Sequence, residues 1–187
     1  MSEKILFVGD KSHWSETASL LISQCYPNVK KVFWEYGDVF PEELNDWKGD
    51  LIISFKSDLY LSEIILSNCK KFKVNIHPAP PKYRGIGGYY YSINNGDKEY
   101  GVTVHHMDAE IDHGNIIEVL EFPIDLWDNP ETIKEKAAVY CLIALTNLLR
   151  YLFNGMSLPS SKIEWFSKLY TRKELDVFKL NKNLYLC

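Results

Sequence analysis

Short apolar runs alternate with helically spaced apolar residues along the first 76 residues of the chain. Apolar runs bounded by turn residues are typical of buried strands, and apolar residues three or four apart predict amphipathic helices. This alternation predicts a parallel α/β sheet. The predicted strands are Ile5–Val8, Val29–Trp34, Leu51–Phe55 and Phe72–Ile76, and helices are predicted to begin near Ser12 or Ser15, to open at Pro41 and to cover residues 60–69.

The pattern changes after residue 76, where a loop rich in Pro and Gly covers residues 77–88 and a short helix follows from Tyr89 to Asn94. Two β-rich runs, Val102–His105 and Ile116–Val119, are then joined by about ten polar residues. They predict an antiparallel pair that extends the sheet. The predicted fold class is α/β, with a Rossmann-like, mostly parallel sheet, helices on both faces and an antiparallel extension.

A long amphipathic helix is predicted after the sheet. Asn129-Pro130-Glu131 is a strong helix start, and apolar residues mark one face up to Gly155. Residues 157–187 are poorly periodic. We therefore expect one domain over residues 1–155 and a short extension over residues 156–187. The extension either packs on its own domain or forms a homodimer interface through its apolar residues Ile163, Trp165, Phe166, Leu169 and Tyr170.

Composition narrows the possible partners and location of the protein. The chain has 187 residues, 46% apolar and 25% charged, which is a globular composition. A formal net charge of −4 argues against nucleic acid as a partner. The four scattered cysteines form no CxxC pair, which indicates a reducing compartment. No secretory segment begins the chain, and no apolar run approaches the roughly 20 residues of a membrane span. We expect a cytoplasmic protein without membrane contact.

The densest group of chemically active residues follows the fourth predicted strand. Asn75 and His77 are two residues apart, so on a strand both side chains project from the same face. The carboxyl edge of an open α/β sheet is where ligands bind. An imidazole that shuttles a proton beside an amide that donates to an oxyanion suits acyl transfer. The alternative is that both side chains only satisfy the backbone of a turn.

The second group lies between the two antiparallel runs and contains three of the five histidines of the chain. His105 and His106 point to opposite faces of a strand, so the spacing does not favour a metal site. Asp112 is either a turn residue or, if it faces His77, the group that orients the imidazole. Of the histidines we expect only His77 to act in catalysis, and His105, His106 and His113 to tolerate replacement.

Together these segments resemble the formyltransferases that use 10-formyltetrahydrofolate. That family carries Asn-x-His at a strand end, a Pro-rich stretch closing in Gly, a Gly-x-Thr-x-His strand and an Asp-x-Gly loop. This chain has Asn75-Ile76-His77, Lys82-Tyr83-Arg84-Gly85, Gly101-Val102-Thr103-Val104-His105 and Asp112-His113-Gly114 in that order. It departs at Pro78-Ala79-Pro80-Pro81, where many members have Ser-Leu-Leu-Pro.

The resemblance implies a catalytic triad of Asn75, His77 and Asp112, with 10-formyltetrahydrofolate as co-substrate and no metal. Residues 1–155 would then be the catalytic domain. The segment after the third strand and the loop between the antiparallel runs are similar to the two folate-lining loops of the family. Each could instead be an ordinary connection. The implied folate-binding residues are Phe55, Leu59, Tyr60, Leu61, Met107, Asp108, Ala109, Glu110 and Ile111.

The family acts on several amines, and the resemblance favours a nucleotide-linked amino sugar. Transferases acting on methionyl-tRNA continue into a basic second domain, which we do not expect here. Glycinamide ribonucleotide transferases, the runner-up, carry a Gly-rich phosphate loop where this chain has Gly9-Asp10-Lys11. A non-catalytic folate- or nucleotide-binding module remains an alternative of another class. The expected substrate-binding residues are Lys11, Trp14, Pro78, Lys82, Tyr83, Arg84, Gly85 and Tyr89.

Overall fold

The computed structural model describes residues 3–182, and its centre is a six-stranded sheet in the order β2-β1-β3-β4-β6-β7. The first four strands in this order are parallel, and β6 and β7 are antiparallel additions. The predicted fold class is therefore confirmed. The strands are β1 (Lys4–Gly9), β2 (Asn28–Phe33), β3 (Gly49–Phe55), β4 (Cys69–His77), β6 (Glu99–His106) and β7 (Ile116–Pro123), while β5 (Arg84–Gly85) and β8 (Leu169–Tyr170) form a separate parallel pair.

Five α-helices and one 3-10 turn cover the two faces of the sheet in the described part of the chain. Successive strand side chains alternate between faces, so Ile5 and Phe7 join one core while Leu6 and Val8 join the other. The first core packs against α1, α3 and α4, and the second against the 3-10 turn and α2. The helices are α1 (His13–Cys25), α2 (Glu63–Ser67), α3 (Gly88–Asn95), α4 (Pro130–Phe153) and α5 (Arg172–Asn181), and the 3-10 turn is Glu42–Leu44.

The second helix is shorter than its predicted range of residues 60–69. It covers five residues because β4 begins at Cys69, earlier than predicted. The strand extends there because Cys69 pairs with Gly49 of β3 beyond an irregularity in the register. A pairing between residues so far apart in sequence leaves no periodic signal in either segment.

Helix α4 begins where the sequence predicts. The Asn129 side chain accepts a hydrogen bond from the Thr132 N–H in a capping box, with Pro130 as the first helical residue. By length and composition alone α4 could span a membrane, with a mean hydropathy of 1.3 in its most apolar stretch. The sequence pattern predicted no apolar run of that length. In this fold one face of α4 is buried in the core, as in the central helix of many globular domains.

The C-terminal extension contains regular structure that its sequence pattern did not predict. Helix α5 opens with a capping box between Thr171 and Glu174, but only Leu175 of its apolar residues is buried. Val177 and Leu180 are at least half exposed, so α5 buries a narrower apolar face than an ordinary amphipathic helix does. Residues 183–187, including Cys187, lie outside the described residues.

Candidate active site

The carboxyl ends of β3 and β4 open into a cavity of about 420 Å³. Ser54 at the end of β3 and Asn75 and His77 at the end of β4 line its floor. The rim comes from the β3–α2 loop, the β6–β7 loop and the segment from Leu169 to Leu175. A cavity of this size at the carboxyl edge of an α/β sheet is the usual place for a small-molecule site.

Strand pairing brings a second histidine to the predicted pair. Asn75 lies directly opposite His105 of β6, and His77 lies opposite Thr103. Opposite residues of an antiparallel pair project from the same face, so His105 points to the same side as Asn75 and His77. The Asn75 Nδ2 and His105 Nε2 atoms are 3.0 Å apart. The expectation that His105 plays no part is therefore not supported by its position.

Asp112 reaches the cluster from the β6–β7 loop. Its Oδ2 lies 3.3 Å from His77 Nδ1 and accepts a hydrogen bond of 2.8 Å from the Gly85 N–H. Its Oδ1 lies 3.2 Å from Asn75 Nδ2 and 3.4 Å from His105 Nε2. Burial alone would raise the pKa of this carboxyl, but the two imidazoles and the Gly85 amide outweigh it and lower the pKa to about 2. Asp112 is therefore ionised at neutral pH.

Both nitrogens of the His77 ring face oxygen acceptors. Nε2 lies 3.0 Å from the Tyr83 carbonyl oxygen, and Nδ1 faces the Asp112 carboxylate. Neither acceptor can donate a hydrogen, so each ring nitrogen can only act as the donor toward the oxygen that it faces. The Tyr83 carbonyl and the Asp112 carboxylate thus fix the orientation of the His77 ring.

The amide of Asn75 has a fixed orientation. The ionised Asp112 carboxylate accepts hydrogen bonds only, so the amide atom facing it is Nδ2. The same Nδ2 atom lies 3.0 Å from His105 Nε2, and His105 Nδ1 lies 2.9 Å from the His106 carbonyl oxygen. Asn75 Oδ1 is buried and meets no hydrogen-bond partner among residues 3–182. The unpaired atom of Asn75 is thus an acceptor and not the donor expected from the sequence.

The two loops expected to hold folate both line the cavity. Of the residues expected to bind folate, those that line the cavity are Leu59, Tyr60, Leu61, Met107, Asp108, Glu110 and Ile111. Two of the expected residues do not line it. Phe55 is fully buried in the core on the opposite face of the sheet, because it alternates with Ser54 along β3. Ala109 contributes its carbonyl oxygen, which accepts a hydrogen bond of 3.1 Å from Tyr60 and so joins the two loops.

The expected substrate-binding residues divide into two groups. Pro78, Gly85 and Tyr89 line the cavity. The other five do not line it, and each is paired with another group of the protein. Lys11 pairs with Asp38, Trp14 donates to Glu135, Lys82 pairs with Asp97, the buried Tyr83 donates to Asp97, and Arg84 donates to main-chain carbonyls.

Helix α1 offers no vacant anion site at its N-terminus. Asp10 Oδ1 accepts hydrogen bonds from the Ser12 N–H and from the Ser12 and Ser15 hydroxyls. Burial raises the pKa of Asp10, but these hydrogen bonds and Lys56 reverse the effect and leave it lowered. The Asp10 carboxylate thus lies beside the N-cap of α1, and its negative charge disfavours a phosphate there.

The cavity also contains residues that the sequence did not reveal as site residues. Lys56 is almost fully buried, pairs with Asp10 at 3.2 Å and has a left-handed φ of 52°. Arg172 pairs with Asp58 across the rim and stacks on Tyr36. Two local signals include Arg172, which are the Thr-x-x-Glu capping box and the similarity of the tail Tyr170-Thr171-Arg172-Lys173-Glu174-Leu175 to sugar N-formyltransferases. Across residues 3–182, no cluster of three or more His, Cys, Asp or Glu could hold a metal ion.

The chain is similar to known proteins in both sequence and fold. The family profile described as "Formyl transferase" matches residues 34–145. The bifunctional polymyxin resistance protein ArnA of Wigglesworthia glossinidia brevipalpis is 31% identical over 93% of this chain and 26% of its own length. A methionyl-tRNA formyltransferase of Enterococcus faecalis is 34% identical over 71% of this chain and 44% of its own length. The chain thus spans less than half the length of these relatives.

Solved structures with low sequence identity share the fold. The N-formyltransferase of Helicobacter canadensis, in complex with folinic acid and dTDP-3-aminofucose, superposes with a TM-score of 0.74 at 21% identity. The superposition covers 91% of this chain and 71% of that protein. The strand order and the antiparallel extension therefore belong to an established architecture.

Proposed function

Because this chain belongs to the formyl transferase family, we propose that it transfers a formyl group from 10-formyltetrahydrofolate to a primary amine. The family profile covers more than half of the chain. The observation that carries the proposal is the contact of Asp112 with both Asn75 and His77 in the cavity. A non-catalytic binding module has no use for a buried carboxylate aimed at an imidazole.

The chemistry assigns a role to each side chain. The neutral amine attacks the formyl carbon, the bond from that carbon to N10 of the folate breaks, and one amine proton ends on N10. His77 exchanges its hydrogen bond to the Tyr83 carbonyl for one to the formyl oxygen and stabilises the oxyanion. Asp112 stabilises the imidazolium and fixes the ring. Asn75 Oδ1 accepts a hydrogen from the attacking amine and holds its lone pair toward the carbon.

The folate occupies the part of the cavity between the two lining loops. Leu59, Leu61 and Met107 offer apolar surface, while the main chain of these loops offers hydrogen-bond groups to a pterin. The neighbour from Helicobacter canadensis is described with folinic acid, which supports a formylated folate as co-substrate. Acyl transfer with this donor needs no metal, and we expect none.

For the acceptor we propose an amino sugar attached to a nucleotide. The same Helicobacter canadensis neighbour is described with dTDP-3-aminofucose, and 91% of this chain superposes on it. Glycinamide ribonucleotide is less favoured because Asp10 already fills the N-terminus of α1. Methionyl-tRNA stays a competitor because a transferase acting on it is 34% identical to this chain.

The test is a transfer assay with 10-formyltetrahydrofolate and three acceptors in parallel: dTDP-linked amino sugars, glycinamide ribonucleotide and methionyl-tRNA. We expect saturable formylation of an amino sugar and none in the His77→Ala variant. The Lys11→Ala variant is the control, because this exposed lysine pairs with Asp38 away from the cavity. Efficient formylation of tRNA alone would refute the choice of acceptor, and failure with every amine would refute the transferase activity.

A further inference from the structure

We propose that Arg84 is a positioning residue that holds Asp112 against His77 by gripping the main chain of the β6–β7 loop. The inference rests on the proposed function only for the assignment of His77 as the reacting group. The contacts themselves are independent of any substrate. The family resemblance implied that Arg84 binds substrate, and the structure places it against the main chain of the Asp112 loop.

The guanidinium of Arg84 makes two hydrogen bonds to consecutive carbonyls of that loop. Its Nε donates to the Asp112 carbonyl oxygen at 2.7 Å, and its Nη2 donates to the Ile111 carbonyl oxygen at 2.9 Å. The next residue, Gly85, donates its N–H to the Asp112 carboxylate at 2.8 Å. Two adjacent residues thus fix both the main chain and the side chain of Asp112.

Support for Asp112 matters because its backbone is in an uncommon conformation. Its φ of 45° lies in the left-handed region, which few residues with a Cβ adopt and which Asp adopts more readily when local hydrogen bonds hold it. The neighbouring Ile111 is half exposed, so apolar packing does not anchor the loop there. The Arg84 hydrogen bonds are therefore well placed to keep the Asp112 carboxylate turned inward.

Arg84 is itself held by the C-terminal extension. Arg84 and Gly85 form β5, which pairs with Leu169 and Tyr170 of β8. The Ile86 N–H continues this pairing with a hydrogen bond of 2.9 Å to the Tyr170 carbonyl oxygen. At Gly85 a Cβ would lie 2.2 Å from that same oxygen, and its φ is +85°, so glycine is required there. The contacts run from β8 through Arg84 to Asp112 and then to His77.

A planar guanidinium can bond two carbonyls at once, whereas the ammonium of lysine is a point donor. We therefore expect both Arg84→Ala and Arg84→Lys to lower kcat by about 10-fold, which is less than the loss expected for Asp112→Asn because Arg84 acts through that carboxylate. KM for both substrates should change by less than about threefold. The control is Arg150→Ala, which removes an exposed arginine from the last turn of α4.

A double-mutant cycle separates positioning from a general effect on stability. In the Asp112→Asn background, Arg84→Ala should lower kcat by less than about threefold further, because the carboxylate it positions is already gone. Added guanidinium should partly restore kcat to Arg84→Ala and leave Asp112→Asn unchanged. Additive losses, or a rise in KM at unchanged kcat, would overturn the proposal.

A second readout needs neither substrate nor turnover. Asp112 carboxyl titration, followed by ¹³C NMR, should show its pKa near 2 in the unaltered protein and nearer to its ordinary value in Arg84→Lys. If no amine is formylated but the pKa of Asp112 still rises, the proposed function fails and the positioning role stands. If the pKa of Asp112 stays near 2 in a folded Arg84→Lys variant, the positioning role is wrong.

Discussion

Replacing Asp112 by Asn should damage turnover by an amount that the structure allows to be worked out. The substitution keeps the shape of the side chain and removes its charge. Its carboxylate is 8% exposed and lies 3.3 Å from His77 Nδ1. The amide nitrogen that replaces one carboxylate oxygen would face the Gly85 N–H, the Asn75 amide or an imidazole. The Gly85 N–H and the Asn75 Nδ2 are donors, so they cannot form a hydrogen bond with an amide N–H. The charged network therefore cannot be rebuilt by the amide.

The magnitude follows from the pKa of the carboxyl. Its contacts lower the pKa from an ordinary 3.8 to about 2 despite burial. Because one pKa unit corresponds to about 1.36 kcal/mol, the ionised form gains roughly 2 kcal/mol from its surroundings. If the reaction draws on all of this to stabilise the His77 imidazolium, kcat should fall by roughly 30-fold. His105 shares the contact, so this value is an upper estimate for the electrostatic part.

The assay is steady-state formyl transfer with saturating folate and amine, comparing Asp112→Asn with Asp46→Asn. Asp46 is exposed and lies outside the cavity, so its change should leave kcat unaltered. KM for both substrates should stay near the normal value. A kcat of Asp112→Asn within about threefold of the unaltered protein would refute the reasoning, because the carboxylate would then contribute nothing to the reacting state.

The same carboxylate makes a pH-dependent contribution to stability. The folded pKa of Asp112 lies below its unfolded value, so this contribution is fully present above about pH 4. It is lost as the pH falls from there toward about 2. Urea unfolding should accordingly show a steeper loss of stability over this range than in Asp112→Asn. Parallel curves for the two proteins would contradict the lowered pKa.

The remaining predictions concern other parts of the site. His77→Ala should lower kcat by about 10²–10⁴-fold, with folate affinity by calorimetry nearly unchanged, because a positioned acid–base acts in the transition state. His105→Phe should lower kcat about fivefold by releasing the Asn75 amide, since a hydrogen bond contributes about 1 kcal/mol, whereas His106→Phe on the opposite face should leave kcat unchanged. Leu175→Ala should lower the free energy of unfolding by about 2–5 kcal/mol in urea titrations, because this buried side chain fills the wall of the cavity beside Gly87. Exhaustive chelation should leave formyl transfer unchanged, and activity that is lost and then restored by zinc would contradict the proposed chemistry.

Local patterns in the sequence were sufficient to predict the sheet and the core of the site. A period of two along β4 puts Asn75 and His77 on one face whatever surrounds the strand. The start of α4 is similarly encoded by Asn129 and Pro130. Its stripe of apolar residues follows from a repeat of 3.6 residues. These features depend on neighbours a few residues apart, so the chain carries them without reference to the rest of the fold.

Only the tertiary structure decided which of the polar residues act together. Strand pairing brings His105 into contact with Asn75, which lies thirty residues earlier in the sequence. Arg84 contacts Asp112 across a sequence separation of 28 residues. The C-terminal extension lacks a clear period because α5 buries little more than Leu175, yet it pairs with β5 and lines the cavity. Whether a lysine or arginine binds a ligand or a neighbouring group depends on such distant partners. Local spacing carries no information about such partners. Only the folded structure shows that Lys11, Lys82 and Arg84 pair with groups of the protein and do not line the cavity.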